Sequence, residues 1–156
     1  MKRKIVAILA LSATIFVFGD SPFAPAGGKK SDGVVKAKAK LENIGGKAVV
    51  VINLEINKGW HLYANPVGND DLAPSQTTVK ISAKTAPKSV NIDYPLGKIV
   101  NDKVLGNYGV YEGKVEIRAT VERAAGDAGP LEVTVRVQAC DDKTCLPPGS
   151  IRLSVP

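Results

Sequence analysis

The 156-residue sequence predicts an all-β fold, an antiparallel β-sandwich, and three observations indicate it. Apolar and polar residues alternate through six runs, which is the period of a strand with one buried face. Gly and Pro residues typical of turns separate these runs at short intervals. No segment after the predicted signal region keeps a helical period. Short alternating strands with frequent turns are typical of a sandwich, and the length fits one domain.

Each predicted strand has apolar side chains on one face and charged or hydroxyl side chains on the other. The first run, for example, alternates alanines with lysines, so its lysines form a solvated face. The predicted strands lie within residues 35–41, 50–56, 78–82, 115–121, 131–139 and 151–155. The turns between them lie at residues 45–46, 57–59, 87–88, 95–97, 126–130 and 147–149.

The N-terminus has the pattern of a secretory signal peptide. Three basic residues at 2–4 precede an apolar run at 5–18, and Ala24-Pro25-Ala26 resembles a small-residue cleavage motif. The apolar run is shorter than the roughly 20 residues that span a bilayer. An uncleaved anchor or a buried helix are the alternatives. A signal peptide predicts a periplasmic or secreted protein.

The domain organisation follows from this pattern. Residues 1–26 are the predicted signal peptide, residues 27–33 a flexible glycine-rich leader, and residues 34–156 the β-sandwich domain. The full chain carries a net charge of +6, and the signal region accounts for +2 of it, so +4 remains. This charge is too small and too scattered to indicate binding to nucleic acid.

Cys140 and Cys145 are the one chemically distinctive feature of the mature chain. The apolar residues from Leu131 to Ala139 occupy the core face, so Cys140 is expected on the opposite, polar face. Four polar residues connect it to Cys145, and the two cysteines therefore flank a hairpin connection. Disulfide distances are easily met there, and a disulfide persists outside the cytoplasm.

A disulfide at this position has two interpretations. Closing a loop of about six residues stabilises a fold by roughly 2 kcal/mol in the chain-entropy model, which is little for a structural bridge. An accessible bridge instead exchanges readily with a partner's thiol. A metal site formed by the cysteines, His61 and an Asp is a third interpretation, although the spacing lacks a ligand-pair signature.

Two further segments are candidates for the surroundings of the cysteines. Trp60, His61 and Tyr63 form an aromatic cluster, in which either Trp60 and Leu62 simply fill the core or His61 and Tyr63 shield the cysteines and help to move protons. Residues 101–111 look like a loop that nevertheless carries apolar side chains. Such a loop could cover a site, or it could be plain surface.

These motifs together resemble a known family. Residues 138–140 (QAC), a short polar loop and residues 145–148 (CLPP) resemble the C-terminal end of the N-terminal periplasmic domain in the DsbD family of thiol:disulfide interchange proteins. Residues 59–63 (GWHLY) are similar to the glycine-aromatic strand of that domain. Residues 102–111 are similar to its active-site loop and the strand that follows. The resemblance covers roughly residues 34–156.

The resemblance implies an immunoglobulin-like sandwich that relays reducing equivalents. Its partners would be a thioredoxin-like domain or membrane thiol–disulfide transporter as donor, and periplasmic oxidoreductases as acceptors. The redox pair would be Cys140 and Cys145. Because Cys145 lies at the exit of the loop, we expect it to be the thiol that exchanges with partners and Cys140 to resolve the mixed disulfide. The supporting or shielding residues would be His61, Tyr63, Asp102, Val104, Leu105 and Gly106.

The implied enzyme class is a thiol–disulfide oxidoreductase, a component of protein-disulfide reduction. The chemistry passes from sulfur to sulfur, so no cofactor and no metal are expected. The rival interpretation is a non-catalytic binding module, in which residues 101–111 contact a protein partner and the disulfide only stiffens a hairpin. A reduction potential distinguishes the two, because structural bridges lie below about −300 mV.

Overall fold

Residues 29–156, which the computed structural model describes, form eleven strands and two short 3₁₀ helices. The predicted signal peptide lies outside this range. The strands are β1 (Val35–Ile44), β2 (Lys47–Ile56), β3 (His61–Tyr63), β4 (Thr78–Ser82), β5 (Ser89–Asp93), β6 (Lys98–Asp102), β7 (Gly106–Tyr111), β8 (Lys114–Glu122), β9 (Leu131–Val137), β10 (Ala139–Cys140) and β11 (Gly149–Val155). The 3₁₀ helices are Ser31–Val34 and Asp70–Ser75.

All strand pairs are antiparallel, and they build three sheets. The sheets have the orders β1-β2-β8-β5, β10-β3-β7-β6 and β11-β9-β4. Alternating residues of β2, β8 and β9 point into one shared core, where Ile52, Ile117 and Val135 are fully buried. The all-β, antiparallel prediction is therefore confirmed. None of the helices in residues 29–156 is long and apolar enough to cross a membrane.

The segment at 101–111 is the turn and second strand of a β-hairpin. Its composition predicted a loop, whereas the family resemblance predicted a loop followed by a strand, as the structure has it. All of β6 pairs with β7, from Lys98 opposite Val110 to Asp102 opposite Gly106, and residues 103–105 form the turn. Glycines hide the alternation of β7 in the sequence. A Cβ at Gly109 would lie 3.2 Å from the Cβ of Ala64, a tight approach that glycine avoids. Gly106 has a φ of +84°, a backbone conformation that favours glycine.

The strand predicted at 131–139 is two strands that belong to different sheets. Val137, the last residue of β9, pairs with Gly149 of β11. After Gln138 the chain joins the sheet of β3, where Cys140 pairs with His61. The cysteine loop thus begins at the point where the chain passes from one sheet to another.

The last residues of the predicted leader make specific contacts with the domain. Ser31 begins the first 3₁₀ helix and is completely buried. Its backbone N–H donates to the carbonyl oxygen of Pro147 at 3.1 Å, just beyond the cysteine loop. This contact ties the N-terminal segment to the candidate site.

Candidate functional site

Cys140 and Cys145 form a disulfide that closes the loop 141–144. Two backbone hydrogen bonds join the arms of this loop. Asp141 N–H donates to the carbonyl oxygen of Thr144 at 2.9 Å, and Leu146 N–H donates to that of Ala139 at 2.8 Å. The two arms are therefore held together on both sides of the disulfide.

The side chain of Asp141 shapes the loop from inside. Its Oδ1 accepts the backbone N–H groups of Lys143 and Thr144, both at 2.8 Å. Asp commonly stabilises turns in this way. These two hydrogen bonds hold the pKa of the Asp141 carboxyl below its ordinary value, because they favour the charged form.

The two sulfur-bearing residues differ sharply in exposure. Cys145 is exposed, whereas Cys140 is only 2% exposed. Cys140 faces away from the main core, as the alternation from Leu131 to Ala139 predicted, since Ala139 packs in that core. The expectation that this face is polar and accessible was wrong for Cys140.

A second, smaller apolar cluster covers Cys140. Tyr63 and Val67 are buried against it, and Leu72 and Tyr108 pack around them. Tyr108 comes from β7, and Leu72 lies in the second 3₁₀ helix. This cover buries Cys140, while Cys145 stays exposed.

The hydroxyl of Tyr63 lies close to the sulfur atoms of both cysteines. Its hydroxyl oxygen lies 3.6 Å from Sγ of Cys140 and 3.9 Å from Sγ of Cys145, so it can donate a weak hydrogen bond to either sulfur. Thr77 fixes the backbone of Tyr63, because its N–H and its hydroxyl both donate to the Tyr63 carbonyl, at 3.0 and 2.7 Å. Burial raises the pKa of the Tyr63 hydroxyl, which keeps it protonated.

His61 lies on the same side of β3 as Tyr63 and directly opposite Cys140 in the pairing with β10. Side chains at directly opposed positions are neighbours on one sheet face. The imidazole packs edge to face against Tyr63, with ring centroids 6.2 Å apart. Burial lowers the pKa of His61, and the carboxylates of Glu112, Asp142 and Asp141 oppose that shift.

His61 also lines an open groove beside the cysteine loop. Trp60, Glu112 and Asp142 line the same groove. Trp60 is half-buried and packs against the main core, as the simpler interpretation of the aromatic cluster expected. His61 and Tyr63 are nonetheless brought to the cysteines, which is what the other interpretation expected of these two.

The four predicted cap residues lie at the turn of the β6–β7 hairpin. Oδ1 of Asp102 accepts the N–H groups of Val104 and Leu105 at 2.7 and 2.8 Å, and Gly106 begins β7. Val104 is 91% exposed and Leu105 47% exposed. Within this hairpin, the side chain that packs against the cysteine cluster is that of Tyr108.

Sequence reasoning missed three residues of this cover, namely Val67, Leu72 and Tyr108. Tyr108 and Val110 are two residues apart in β7 and share one face of the strand. Recognising that strand in the sequence would have identified Tyr108 as a candidate site residue. Val67 and Leu72 lie between β3 and β4, where no apolar period marks them. Within residues 29–156 no group of three His, Cys, Asp or Glu side chains is arranged to hold a metal ion.

Comparisons with known proteins bear on this site. The family model of the thiol:disulfide interchange protein DsbD, N-terminal, matches residues 32–155. The N-terminal domain of DsbD from Neisseria meningitidis, solved in its reduced form, has 15% identity and a TM-score of 0.54. The match covers 81% of this chain and 87% of that one. A search of curated protein sequences finds no match.

Two further solved structures are similar to this chain. The N-terminal periplasmic domain of ScsB from Proteus mirabilis has 16% identity and a TM-score of 0.52, over 76% of this chain and 44% of that one. A complex between the DsbD and PilB N-terminal domains of Neisseria meningitidis matches at 15% identity and a TM-score of 0.46, over 76% and 80% of the two chains. The DsbD and ScsB domains, whose TM-scores exceed 0.5, support the fold, and the family model covers most of the sequence. The chain therefore belongs to the family of the N-terminal domain of the thiol:disulfide interchange protein DsbD.

Proposed function

We propose that this chain is an extracytoplasmic thiol–disulfide exchange protein. It relays reducing equivalents between a thioredoxin-like donor, or a membrane thiol–disulfide transporter, and periplasmic oxidoreductases. The observation that carries the proposal is the unequal exposure of the two cysteines. An exchanging disulfide needs one sulfur that a partner can reach and a second that can displace the partner.

The chemistry follows from this inequality. A donor thiolate attacks Sγ of Cys145, the disulfide bond breaks, and Cys140 leaves as a thiolate that takes up a proton. A second donor thiolate then attacks the donor sulfur of the mixed disulfide and releases Cys145. The donor is oxidised to a disulfide and this chain is reduced to a dithiol. In the opposite direction Cys145 attacks an acceptor disulfide, and Cys140 resolves the mixed disulfide.

Tyr63 and His61 are the proposed supporting residues. The protonated Tyr63 hydroxyl, 3.6 Å from Sγ of Cys140, stabilises the departing thiolate by donating a hydrogen bond. His61, opposite Cys140 in the strand pairing, is the proposed proton carrier. The cover formed by Val67, Leu72 and Tyr108 keeps solvent oxidants away from the Cys140 thiol.

A redox titration tests the function. The exported protein is equilibrated in glutathione buffers, and free thiols at Cys140 and Cys145 are counted by alkylation and mass spectrometry. We expect a reversible two-electron transition between about −120 and −270 mV, the range of known oxidoreductases. A disulfide that stays closed down to about −300 mV would contradict the proposal.

Trapping tests the assigned roles. Cys140→Ser leaves the exposed Cys145 without a resolving thiol, so we expect a stable mixed disulfide with a thioredoxin-like domain that keeps only its exposed cysteine, activated as the thionitrobenzoate disulfide, with thionitrobenzoate as the leaving group. The matched control, Cys145→Ser, keeps only the buried Cys140 and should trap little. Equal trapping by the two variants would show that exposure does not select the attacking sulfur.

A non-catalytic binding module is the second candidate function, and a specific surface favours it. Four large apolar side chains are exposed close together in sequence, on or beside the β6–β7 hairpin: Leu96, Ile99, Val104 and Leu105. An apolar hairpin of this kind suits contact with another protein. The redox titration decides between the two candidates, because the disulfide of a binding module should stay closed in buffers that reduce the disulfide of an exchange protein.

A further inference from the structure

We propose that Ser31 is a positioning residue that holds the two arms of the cysteine loop together and so favours the disulfide over the dithiol. This inference deepens the exchange function proposed above and rests on it for its biological meaning. Ser31 is far from the cysteines in sequence and belongs to the segment that the sequence assigned to a flexible leader.

The Ser31 side chain makes a hydrogen bond to each arm of the loop. Its Oγ accepts the backbone N–H of Ala139 at 2.9 Å, one residue before Cys140. The hydroxyl donates to the carbonyl oxygen of Pro147 at 2.8 Å, two residues after Cys145, and the carbonyl of Leu146 is a longer alternative at 3.4 Å. One hydroxyl therefore bridges the strand that enters the loop and the chain that leaves it.

Ser31 is completely buried, so the hydrogen bonds of its hydroxyl are shielded from solvent. Ser31 and Thr77 are the two polar residues that are fully buried among residues 29–156. Both act on the site, because Thr77 fixes the backbone of Tyr63 and Ser31 fixes the cysteine arms. A buried hydroxyl persists only where its hydrogen bonds are made, so both arms must stay in place around Ser31.

A close backbone contact holds Ser31 in position. A Cβ on Gly149 would lie 2.6 Å from the backbone nitrogen of Asp32, which follows Ser31. Glycine at 149 therefore allows the first 3₁₀ helix to sit against the start of β11. The helix and the chain after the cysteine loop form one packed unit.

The expected effect on the redox equilibrium has a definite sign. In the disulfide form the S–S bond itself keeps the arms together. In the dithiol form only non-covalent contacts do so, among them the bridge through the Ser31 hydroxyl and the two backbone hydrogen bonds that join Leu146 to Ala139 and Asp141 to Thr144. Removing the hydroxyl bridge loosens the arms in the dithiol form, where no S–S bond compensates, and this lowers the effective concentration of one thiol near the other. Disulfide formation then becomes less favourable.

The test is a comparison of reduction potentials. For Ser31→Ala we expect the equilibrium constant for disulfide formation to fall roughly tenfold, a potential about 30 mV less negative. Ile117→Val is the control, because it trims the core at a fully buried site without touching the loop. It should lower the midpoint of thermal unfolding and leave the potential unchanged.

A second variant tests the same proposal if Ser31→Ala fails to fold. Gly149→Ala keeps the Ser31 hydroxyl but displaces the 3₁₀ helix, and it should shift the potential in the same direction. An unchanged potential in both variants would overturn the proposal and leave Ser31 as a merely structural residue. The wild-type potential tests the exchange function separately, since the difference between variant and wild type can be measured wherever the wild-type value lies.

Discussion

Two turns in this domain have the same local construction and different surroundings. In the cysteine turn, Oδ1 of Asp141 accepts the N–H groups two and three residues ahead. In the β6–β7 turn, Oδ1 of Asp102 accepts the equivalent pair of N–H groups. Both carboxyls have a pKa below the ordinary value for the same reason, the two backbone hydrogen bonds.

The difference lies in the long-range contacts. The cysteine turn is closed by a disulfide, bridged by Ser31 and touched by the hydroxyl of Tyr63. For the β6–β7 turn, the long-range side-chain hydrogen bond comes from Asn69, whose Nδ2 donates to the carbonyl oxygen of Leu105 at 2.7 Å. The same turn chemistry thus supports a disulfide-closed loop with several long-range contacts in one place and an exposed apolar hairpin turn in the other.

The largest expected effect concerns the two sulfurs that flank the cysteine turn. We expect Cys145 in the Cys140→Ser variant to be alkylated about 100-fold faster than Cys140 in Cys145→Ser, because exposing Cys140 requires local opening that costs roughly 3 kcal/mol. Iodoacetamide labelling followed by mass spectrometry measures both rates. Rates within a factor of two would mean that the aromatic cover does not protect Cys140.

The next effect separates the body of the β6–β7 hairpin from its turn. In the Cys145→Ser background, Tyr108→Ala should speed alkylation of Cys140 roughly tenfold, as a loss of about 1.4 kcal/mol of covering contacts gives. Val104→Ala is the matched control, because Val104 is 91% exposed. Acceleration by the control instead would assign the cover to the turn, as the sequence resemblance implied.

A smaller effect compares the two aspartates directly. Asp141→Ala removes the acceptor that shapes the cysteine turn, so reduction of the disulfide by dithiothreitol should become faster. Asp102→Ala makes the same change in the other turn and should leave that rate unaltered. Stopped-flow measurement under pseudo-first-order conditions gives both values. Equal acceleration would indicate that the two turns are mechanically coupled.

The smallest effect is a pH dependence that the two turns share. Because the folded pKa of each aspartate is lowered, each contributes stability above the unfolded pKa of about 3.9, and this is lost as pH falls through the folded value. The double variant Asp102→Asn, Asp141→Asn should therefore lose less of its free energy of unfolding between pH 5 and pH 2 than the wild type. Urea unfolding at each pH measures this loss. If the variant and the wild type lose the same free energy of unfolding, these two carboxylates do not cause the acid dependence.

The long alternating strands were predictable from their period, whereas of the small strands around the site only β3 was expected, and only through the family resemblance. β8 and β9 bury alternate residues, and β2 does so from Ile52 to Ile56, so the period reveals all three. β3 and β10 are three and two residues long, too short to show any period. The change of sheet at Gln138 leaves no local signal either, because it depends on which strand lies nearby.

The residues of the candidate site were likewise predictable from the sequence only in part. The cysteine pair and its aromatic neighbours were predictable, since the residue types are rare in this chain and carry the family resemblance. The burial of Cys140 was not, because its cover comes from Val67 and Leu72, which lie in a segment without periodicity. Ser31 was also missed, because a hydroxyl in a glycine-rich stretch gives no sign of the carbonyl it will meet.

Because Gln138 lies between two sheets, NMR can follow the oxidation state of the disulfide in both of them. Cys140 pairs with His61 in one sheet, while the chain after the loop enters β11 at Gly149 and pairs with Val137 in another. Reduction therefore removes a covalent link between chain segments that hydrogen-bond into separate sheets. The amide resonances of His61 and Val137, which lie on opposite sides of this junction, should both shift when the disulfide opens. A pair of backbone amides thus reports whether the two sheets respond together to the redox state.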